Sequence, residues 1–333
     1  MKQLAWIGFD RIVADAAPDG RHTDPWSKVA GRLEYQPDYT TLCRLLGVPL
    51  ALKVKSQSGV PALAIDVWIS YELRRAGFDP DSTWPRAAEP RVLPAAVSNL
   101  LAALPKQERE ALRARLARKS IAGVTASSAN ILGKNYTKQV DVVMSDWATG
   151  PELLVSTKRM DSSYGKNAAN RVEESYGDAK NLRLRHPLAA LGFVFGLRSD
   201  ILTKEPDTAE WLIDLLQKLG REDDAYHATC LLMISYDDAL ATVPDASDSG
   251  EGPIVEAGPA KETEAVDVEA FSGIEQEMLG LFTDSPPVIL RHDVVPAALD
   301  PARFLQTMVE RILDTTPVDR HKEARRRRRA AQG

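Results

Sequence analysis

The chain has 333 residues, of which 44% are hydrophobic and 27% are charged, and its net charge is −5 at pH 7. This length allows one large domain or two small ones, and the apolar content is ordinary for a globular protein. No run is apolar enough for a membrane-spanning helix, and the N-terminal residues are too charged for a secretory signal peptide. We therefore expect a cytoplasmic protein without a membrane partner.

Cysteine and histidine usage narrows the chemistry further. Two cysteines, Cys43 and Cys230, cannot form a disulfide framework, and the apolar segment around Cys230 predicts a buried free thiol. The five histidines show no paired ligand spacing, which argues against zinc and HNH-type chemistry. They are His22, His186, His227, His292 and His321.

Residues 1–119 predict a mainly helical N-terminal region. Apolar residues recur at helical spacing over 38–46 and 63–75, and a Pro-rich connection covers 84–94. Residues 106–119 predict a basic helix, whose charges either neutralise phosphates or form solvated i,i+4 pairs. Besides Lys106, its basic residues are Arg109, Arg113, Arg115, Arg118 and Lys119.

Residues 140–158 predict an antiparallel hairpin. The β-branched segment 140–144 favours a strand, 146–151 contains a Gly-Pro turn, and 153–158 favours the partner strand. Strand alternation divides the second strand between two faces: Leu154, Ser156 and Lys158 on one, and Leu153, Val155 and Thr157 on the other.

Alternating helices and strands follow the hairpin. Composition predicts a helix over 166–183, and the apolar segments 191–197 and 229–235 are typical of buried strands. Residues 207–216 begin with a capping-box-like pattern and continue with helical spacing. Residues 120–240 thus predict the order strand, strand, helix, strand, helix, strand.

The remaining chain divides into an acidic segment and a basic C-terminal part. Residues 241–270 contain eight acidic residues and one basic residue. This excess of negative charge is larger than the net charge of −5 of the whole chain, so the rest of the chain is slightly basic. We interpret 241–272 as a low-complexity linker or insert. The segment 273–333 predicts a helix over 303–313 and a disordered five-arginine tail over 325–329 that would bind any polyanion.

Three short motifs carry the chemistry. They are Asp141, the sequence Ser156-Thr157-Lys158, and Arg171-Val172-Glu173 on the following helix. Basic residues that could neutralise phosphates gather around them. These are Lys134, Lys138, Arg159, Lys166, Lys180, Arg183 and Arg185.

Residues 120–238 resemble the PD-(D/E)xK nuclease superfamily, in which an Asp on one strand is followed by (Asp/Glu)-x-Lys on the next. Ser156 occupies the acidic slot here. Type II restriction endonucleases that cut within CCGG-type sequences have the same Ser-x-Lys, with a Glu supplied by the next helix, often as Arg-x-Glu. Val140 replaces the usual Pro and the Asp141-to-Lys158 gap is shorter than in that branch, so the resemblance extends to the active-site layout and not to CCGG specificity.

The resemblance implies an α/β fold with a restriction-endonuclease-like core, which is a mixed central sheet flanked by helices. It also implies an Mg²⁺ site formed by Asp141, Glu173 and the backbone carbonyl of Thr157. Glu174 and Glu152 are alternatives for the second carboxylate. An alternative without a metal site is that Asp141 only ends a strand and that Glu173 and Glu174 form a solvated helix face.

Further catalytic roles are implied for three residues. Lys158 would hold the attacking water and offset charge in the transition state, and Ser156 would be a minor hydrogen-bonding residue. Similar nucleases place a helical Glu from the N-terminal region beside the metal, and Glu72 is the candidate. Alternatively, Glu72 is a surface residue that pairs with Arg74 or Arg75.

The expected function is Mg²⁺-dependent cleavage of double-stranded DNA by a type II restriction enzyme. A palindromic site would match a homodimer, and a cognate DNA methyltransferase would be expected in the host. One alternative is a repair or structure-selective nuclease. Another is a non-catalytic DNA-binding protein with a degenerate nuclease fold, because Ser156 breaks the consensus.

Overall fold

The computed structural model describes residues 1–55, 58–118, 121, 124–126, 128–221, 225–240, 282 and 286–331. The predicted acidic segment 241–272 lies outside these residues, as do Lys119 and the side chains of Arg118 and Lys166. No helix among the described residues is both long and apolar enough to cross a membrane.

Ten helices and ten strands build the described part of the fold. The helices are α1 Lys2–Ala16, α2 Tyr39–Ala51, α3 Val60–Arg75, α4 Ala95–Ala103, α5 Lys106–Arg118, α6 Tyr164–Arg183, α7 Ile201–Lys204, α8 Pro206–Leu219, α9 Pro301–Thr315 and α10 Lys322–Ala330. The strands are β1 Trp26–Val29, β2 Arg32–Tyr35, β3 Thr83–Trp84, β4 Ala129–Leu132, β5 Thr137–Val140, β6 Val142–Asp146, β7 Gly150–Met160, β8 Ala190–Arg198, β9 Ala228–Ser235 and β10 Ile289–Leu290.

Six of the strands form a mixed sheet in the order β10-β9-β8-β7-β6-β3. Strands β7, β8 and β9 run parallel, whereas β3, β6 and β10 are antiparallel to their neighbours. Helices α6 and α8 connect the parallel strands, as βαβ crossovers require. Two separate hairpins, β1-β2 and β4-β5, complete the strands.

Helices cover both faces of this sheet. One hydrophobic cluster joins Leu153 and Val155 of β7 to α1, α2, α3 and α9. A second cluster joins Leu154 of β7 to α6 and α8. The predicted alternation along β7 is therefore confirmed, and so is the mixed sheet flanked by helices.

Strand β8 lies at the centre, and all nine of its residues are buried. A continuous apolar run is what a strand covered on both faces requires. Gly192 allows α9 to approach closely, because a Cβ at this position would lie only 2.7 Å from the ring of Phe304. The strands predicted at 191–197 and 229–235 are confirmed as β8 and β9, and Cys230 is a buried free thiol as expected.

The structure corrects the prediction that Asp141 lies within a strand. Strand β5 ends at Val140 and β6 begins at Val142, so Asp141 occupies the bend between them. The bend arises because β5 pairs with β4 in a separate sheet, whereas β6 belongs to the central one. Asp141 is thus held where the chain passes from one sheet to the other.

The structure also corrects the prediction of a disordered arginine tail. The tail forms helix α10, because its charges find internal partners. Glu323 pairs with Arg326 and Arg327, and the Arg325 guanidinium donates to the backbone carbonyl oxygens of Leu313 and Thr316. A predominantly arginine helix therefore packs against the body of the protein.

Candidate active site

Two aspartates converge on Thr157 in β7. The Thr157 hydroxyl donates to Asp66 Oδ1 at 2.5 Å, and the Thr157 backbone N–H donates to Asp141 Oδ2 at 2.8 Å. Asp66 comes from the middle of α3, which packs on the face of the sheet toward which Thr157 points. Two residues 75 positions apart in the sequence therefore approach one residue of the central sheet.

The position of Asp141 follows from the register of the hairpin. Pairing of β6 with β7 ends at Val142 opposite Val155. Beyond this point the Asp141 carboxylate accepts the Thr157 N–H in place of a ladder partner. In an extended strand the N–H and C=O of one residue point to the same edge, so the Thr157 carbonyl is directed toward the Asp141 side.

The Asp66 side chain is buried, and its charge state is strongly perturbed. Burial raises the pKa of the Asp66 carboxyl well above its usual range, and the negative charge of Asp141 raises it further. The hydrogen bond from Thr157 and the positive charges of Lys2 and Lys158 act in the opposite direction. A cation bound between the two carboxylates would relieve their repulsion and favour the ionised form of both.

Lys158 lies on the opposite face of β7, toward α6. Its Nζ is 3.9 Å from Glu174 Oε2, and Glu174 also lies 3.7 Å from Lys138 Nζ. Lys138 is paired more closely with Asp178, at 2.7 Å. Asp141 at the strand edge therefore lies between an aspartate on one face and a lysine–glutamate pair on the other.

Ser156 is buried and bonds away from the carboxylates. Its side chain is hydrogen-bonded to Tyr226, whose hydroxyl in turn donates to the Ser175 backbone carbonyl of α6 at 2.8 Å. This chain of contacts ties β7 to α6. Ser156 thus occupies the motif position without presenting an acid there.

The structure distinguishes the three glutamates that were considered for the metal site. Glu173 lies on the exposed side of α6, whereas Glu174 faces Lys158. Adjacent helical residues are about 100° apart, so the two cannot face the same neighbour. Glu152 is buried near the turn end of the hairpin, where its Oε1 accepts from the Thr149 hydroxyl at 2.6 Å.

Glu72 lies in a separate buried cluster. One carboxylate oxygen accepts from the Asp38 backbone N–H at 2.7 Å, and the other accepts from Arg75 at 2.6 Å and from the Tyr35 hydroxyl at 3.1 Å. Glu72 is six positions beyond Asp66 on the helix, which places the two side chains about 120° apart around the helix axis. The acid that α3 directs toward Thr157 is therefore Asp66.

Sequence reasoning missed Asp66, although the sequence contained a usable signal. Asp66 interrupts the apolar run Ala64-Ile65-Asp66-Val67-Trp68-Ile69 on a helix that is buried along nearly its whole length. A carboxylate in such a place is costly unless it has a partner or a ligand. As the acid that α3 contributes to the site, Asp66 in the apolar part of the helix was thus a better candidate than Glu72 near its more polar end.

Several of the basic residues expected around the site have internal partners. Arg159 pairs with Asp161 at 3.0 Å, and Arg183 donates to the Ala225 carbonyl oxygen at 3.1 Å. Lys180 lies 4.6 Å from the centre of the Tyr176 ring. Lys134 and Arg185 are exposed, as are Arg113 and Arg115 of α5, and these cations face solvent.

A small cavity of about 60 Å³ reaches the two aspartates. Lys2 and Arg91 are among its lining residues, so cations are present at the same opening. Among the described residues, no group of three or more His, Cys, Asp or Glu side chains is arranged to hold a metal ion. Two carboxylates and a backbone carbonyl form a smaller donor set, which suits Mg²⁺ because this ion keeps several of its waters.

Searches of protein-family models, curated proteins and solved structures found no significant match to this chain.

Proposed function

We propose that this protein is a Mg²⁺-dependent nuclease that hydrolyses phosphodiester bonds of double-stranded DNA. The observation that carries the proposal is the convergence of Asp66 and Asp141 on Thr157, the residue immediately before Lys158. Two carboxylates beside a cationic amine suit metal-assisted attack on a phosphate. The helix–strand order of residues 120–240, which resembles the PD-(D/E)xK superfamily, supports the same conclusion.

Asp66, Asp141 and the Thr157 carbonyl would hold the metal ion. When bound, Mg²⁺ would polarise the scissile phosphate and lower the pKa of a bound water. This donor set replaces the combination of Asp141 and Glu173 implied by the sequence motif. The fit rests on the donor set around Thr157, and a cation there would stabilise the ionised form of Asp66, whose pKa is raised by burial.

Lys158 is the proposed catalytic cation, and Glu174 is its positioning residue. The ammonium group of Lys158 would orient the attacking water and offset negative charge as it develops on the phosphate. Glu174, 3.9 Å away, would restrict the long lysine side chain. Ser156 would act indirectly, because its contact with Tyr226 fixes β7 against α6.

Exposed cations provide the proposed contact with DNA. Lys134, Arg185 and the solvent-facing arginines of α5 would neutralise backbone phosphates without reading the sequence. A restriction enzyme acting on a palindromic site would bind it as a homodimer, with one copy of the site on each strand. We therefore propose double-stranded DNA and a second copy of the chain as partners.

Plasmid cleavage in Mg²⁺ or in EDTA tests the proposal. We expect discrete fragments in Mg²⁺ alone, and loss of cleavage in Asp66→Asn, Asp141→Asn and Lys158→Ala. The matched controls are Asp214→Asn and Lys218→Ala, because this exposed pair lies on α8. A smear, or cleavage only of branched substrates, would favour a repair nuclease. Binding without cleavage under all conditions would contradict the catalytic proposal.

A further inference from the structure

A second, much larger cavity lies at the other end of the β6–β7 hairpin. Its volume is about 610 Å³, within the range of small-molecule sites. It is lined by the end of α3, the residues around Gly20, the hairpin turn, and the segment leading into α10. Asp146, in its wall, is five strand residues from Asp141, which separates the cavity from the two aspartates by roughly 17 Å.

Unsatisfied polar atoms concentrate around this cavity. Nine buried side-chain nitrogen or oxygen atoms in the described part of the chain have no hydrogen-bond partner, and four of them belong to residues lining the cavity. The four atoms need an explanation, such as a missing ligand, ion or water, because such atoms are few in native proteins. They are Arg74 Nε, His22 Nδ1, Glu152 Oε2 and His321 Nε2.

Arg74 is the strongest anchor among these residues. Its side chain is 4% exposed, and its Nη1 donates to the backbone carbonyl of Pro85 at 3.2 Å. The acid whose charge acts on it, Asp10, already accepts two hydrogen bonds from Arg91. Burial lowers the pKa of Arg74 to about 10, and the positive charge of Arg91 adds to this effect. A buried guanidinium in this environment calls for an anion.

Four acids and four lysine or arginine residues line the cavity, so their formal charges balance, but three of the acids already contact Arg320, Arg327 or His321. Asp146 pairs with Arg320 at 3.2 Å, and Glu323 pairs with Arg327 at 2.8 Å. Glu152 Oε2 lies 2.9 Å from His321 Nε2, although the angles are not those of a hydrogen bond. Asp79 is exposed and caps the Asp81 backbone N–H. Arg74 and the exposed Lys322 therefore remain to face an anionic group.

His22 lies in the same positively charged environment as Arg74. Burial lowers its pKa to about 4, and the charges of Arg74, Arg327 and Arg75 contribute. The other end of the cavity is different in character. The buried Phe78 ring packs edge-on against His321, with centroids 5.1 Å apart, and the nearby Glu152 oxygen can accept a hydrogen bond. An anion, an apolar body and a hydrogen-bond donor would each find a complementary group.

We propose that this cavity binds a small phosphate monoester that carries hydroxyl groups, such as a nucleoside monophosphate. The phosphate contacts Arg74 and Lys322, which donate charge-assisted hydrogen bonds. The hydroxyl groups donate to Glu152, and the apolar part of the ligand packs on Phe78. The site is separate from Asp66 and Asp141 and does not depend on nuclease activity.

Helix α10 lines one side of the cavity, which gives one of its arginines, Arg327, a structural role. The Arg327 guanidinium donates to the backbone carbonyl of Arg75 at 2.6 Å and to that of His22 at 3.3 Å. These contacts attach α10 to the two segments that supply Arg74 and His22. The basic helix therefore forms one wall of the proposed site.

Calorimetric titration of the full chain with AMP tests the proposal, with inorganic phosphate as the comparison probe. We expect saturable one-to-one binding of AMP, weakened at least roughly tenfold by Arg74→Met, which removes charged hydrogen bonds. Because Arg74→Met removes a buried cation, Lys322→Glu provides a second, exposed variant that should weaken binding severalfold. Lys218→Glu on α8 is the matched control and should leave binding unchanged, as should Asp141→Asn.

Three results would overturn the proposal outright, and a fourth would move the binding to another site. The three are the absence of saturable AMP binding, binding that Lys322→Glu leaves intact, and inorganic phosphate binding as tight as that of AMP. Loss of binding in Asp141→Asn would assign the nucleotide to the proposed catalytic site instead. Since DNA cleavage is measured separately, failure of this proposal leaves the proposed nuclease function untouched, and the reverse also holds.

Discussion

Asp66 on α3 accepts a hydrogen bond from the Thr157 hydroxyl on β7, although 91 residues separate them along the chain. The contact joins the N-terminal helical region to the strand that carries Lys158. It also holds a buried carboxylate beside Asp141. The proposed metal site therefore depends on the packing of α3 against the sheet as well as on the hairpin motif.

Replacing Thr157 separates the roles of its hydroxyl and its backbone. Thr157→Val keeps the shape but removes the donor to Asp66, so we expect a loss of about 1–3 kcal/mol in unfolding free energy from the unpaired buried group. DNA cleavage should fall as well. Thr157→Ser keeps the hydroxyl and is the matched control. Urea unfolding and plasmid cleavage measure both effects, and equal behaviour of the two variants would contradict this role for the hydroxyl.

The two neighbouring glutamates on α6 give a second prediction. Glu174→Gln removes the charge beside Lys158, so we expect cleavage to decrease and its pH dependence to shift. Glu173→Gln alters an exposed side chain and should leave the cleavage rate within about twofold, since surface substitutions of this kind have small effects. A large loss in Glu173→Gln with no loss in Glu174→Gln would restore Glu173 as the metal ligand implied by the motif.

Much of the fold could be predicted because its signals are local. The continuous apolar run of β8 and the alternating faces of β7 depend on neighbouring residues, and both predictions are confirmed. The position of Asp141 could not be predicted in the same way. Its bend exists because β5 pairs with β4, which is a tertiary choice between two sheets.

The site was less predictable than the fold, because helix rotation and long-range packing decide which acid faces β7. A motif gives the order of Glu173 and Glu174 but not which one turns toward Lys158. In the same way, the helical pattern of α3 does not reveal that Glu72 faces Tyr35 while Asp66 faces Thr157. The run of arginines predicted a disordered tail and not helix α10. The helix forms because its arginines donate hydrogen bonds to backbone carbonyls that are distant in sequence.

Glu72 should prove structural. Its side chain is fully buried with Arg75 and bonded to Tyr35, and the burial of its carboxyl raises the pKa of Glu72 despite the opposing charge of Arg75. We expect Glu72→Ala to cost about 3–5 kcal/mol of stability, since it leaves a buried cation unpaired. The protein that remains folded should cleave DNA at the wild-type rate. Cleavage abolished in Glu72→Ala with stability unchanged would instead identify Glu72 as a catalytic residue.

Two histidines predict how stability changes with acid. Burial lowers the pKa values of His22 and His227 to about 4, with nearby arginines contributing. Between pH 6.5 and about 4 the unfolded chain then binds more protons than the folded chain, so stability falls as the pH is lowered through this window. Urea unfolding from pH 7 to 4 should show this slope, and His22→Gln with His227→Gln should flatten it. An unchanged slope in the double variant would assign the acid sensitivity to other groups.

Gly77 controls how closely α10 approaches the end of α3. Its φ is +97°, and an added Cβ would lie 2.9 Å from the Ala324 backbone nitrogen. Gly77→Ala therefore combines backbone strain with a clash against main chain that cannot simply rotate away, and we expect a loss of about 1–3 kcal/mol in unfolding free energy. Arg327 attaches α10 to the Arg75 carbonyl, which lies next to this glycine. Because the clash disturbs this attachment, we expect α10 to detach before the rest of the protein unfolds. Amide hydrogen exchange should accordingly increase in residues 322–330 before it increases in β8.

Ala302→Gly at the start of α9 is a control for a glycine–alanine substitution away from this contact, and it should leave hydrogen exchange in α10 unchanged. If Gly77→Ala left both the stability and the exchange of α10 at wild-type values, the close packing between α3 and α10 would not be what holds the arginine helix in place.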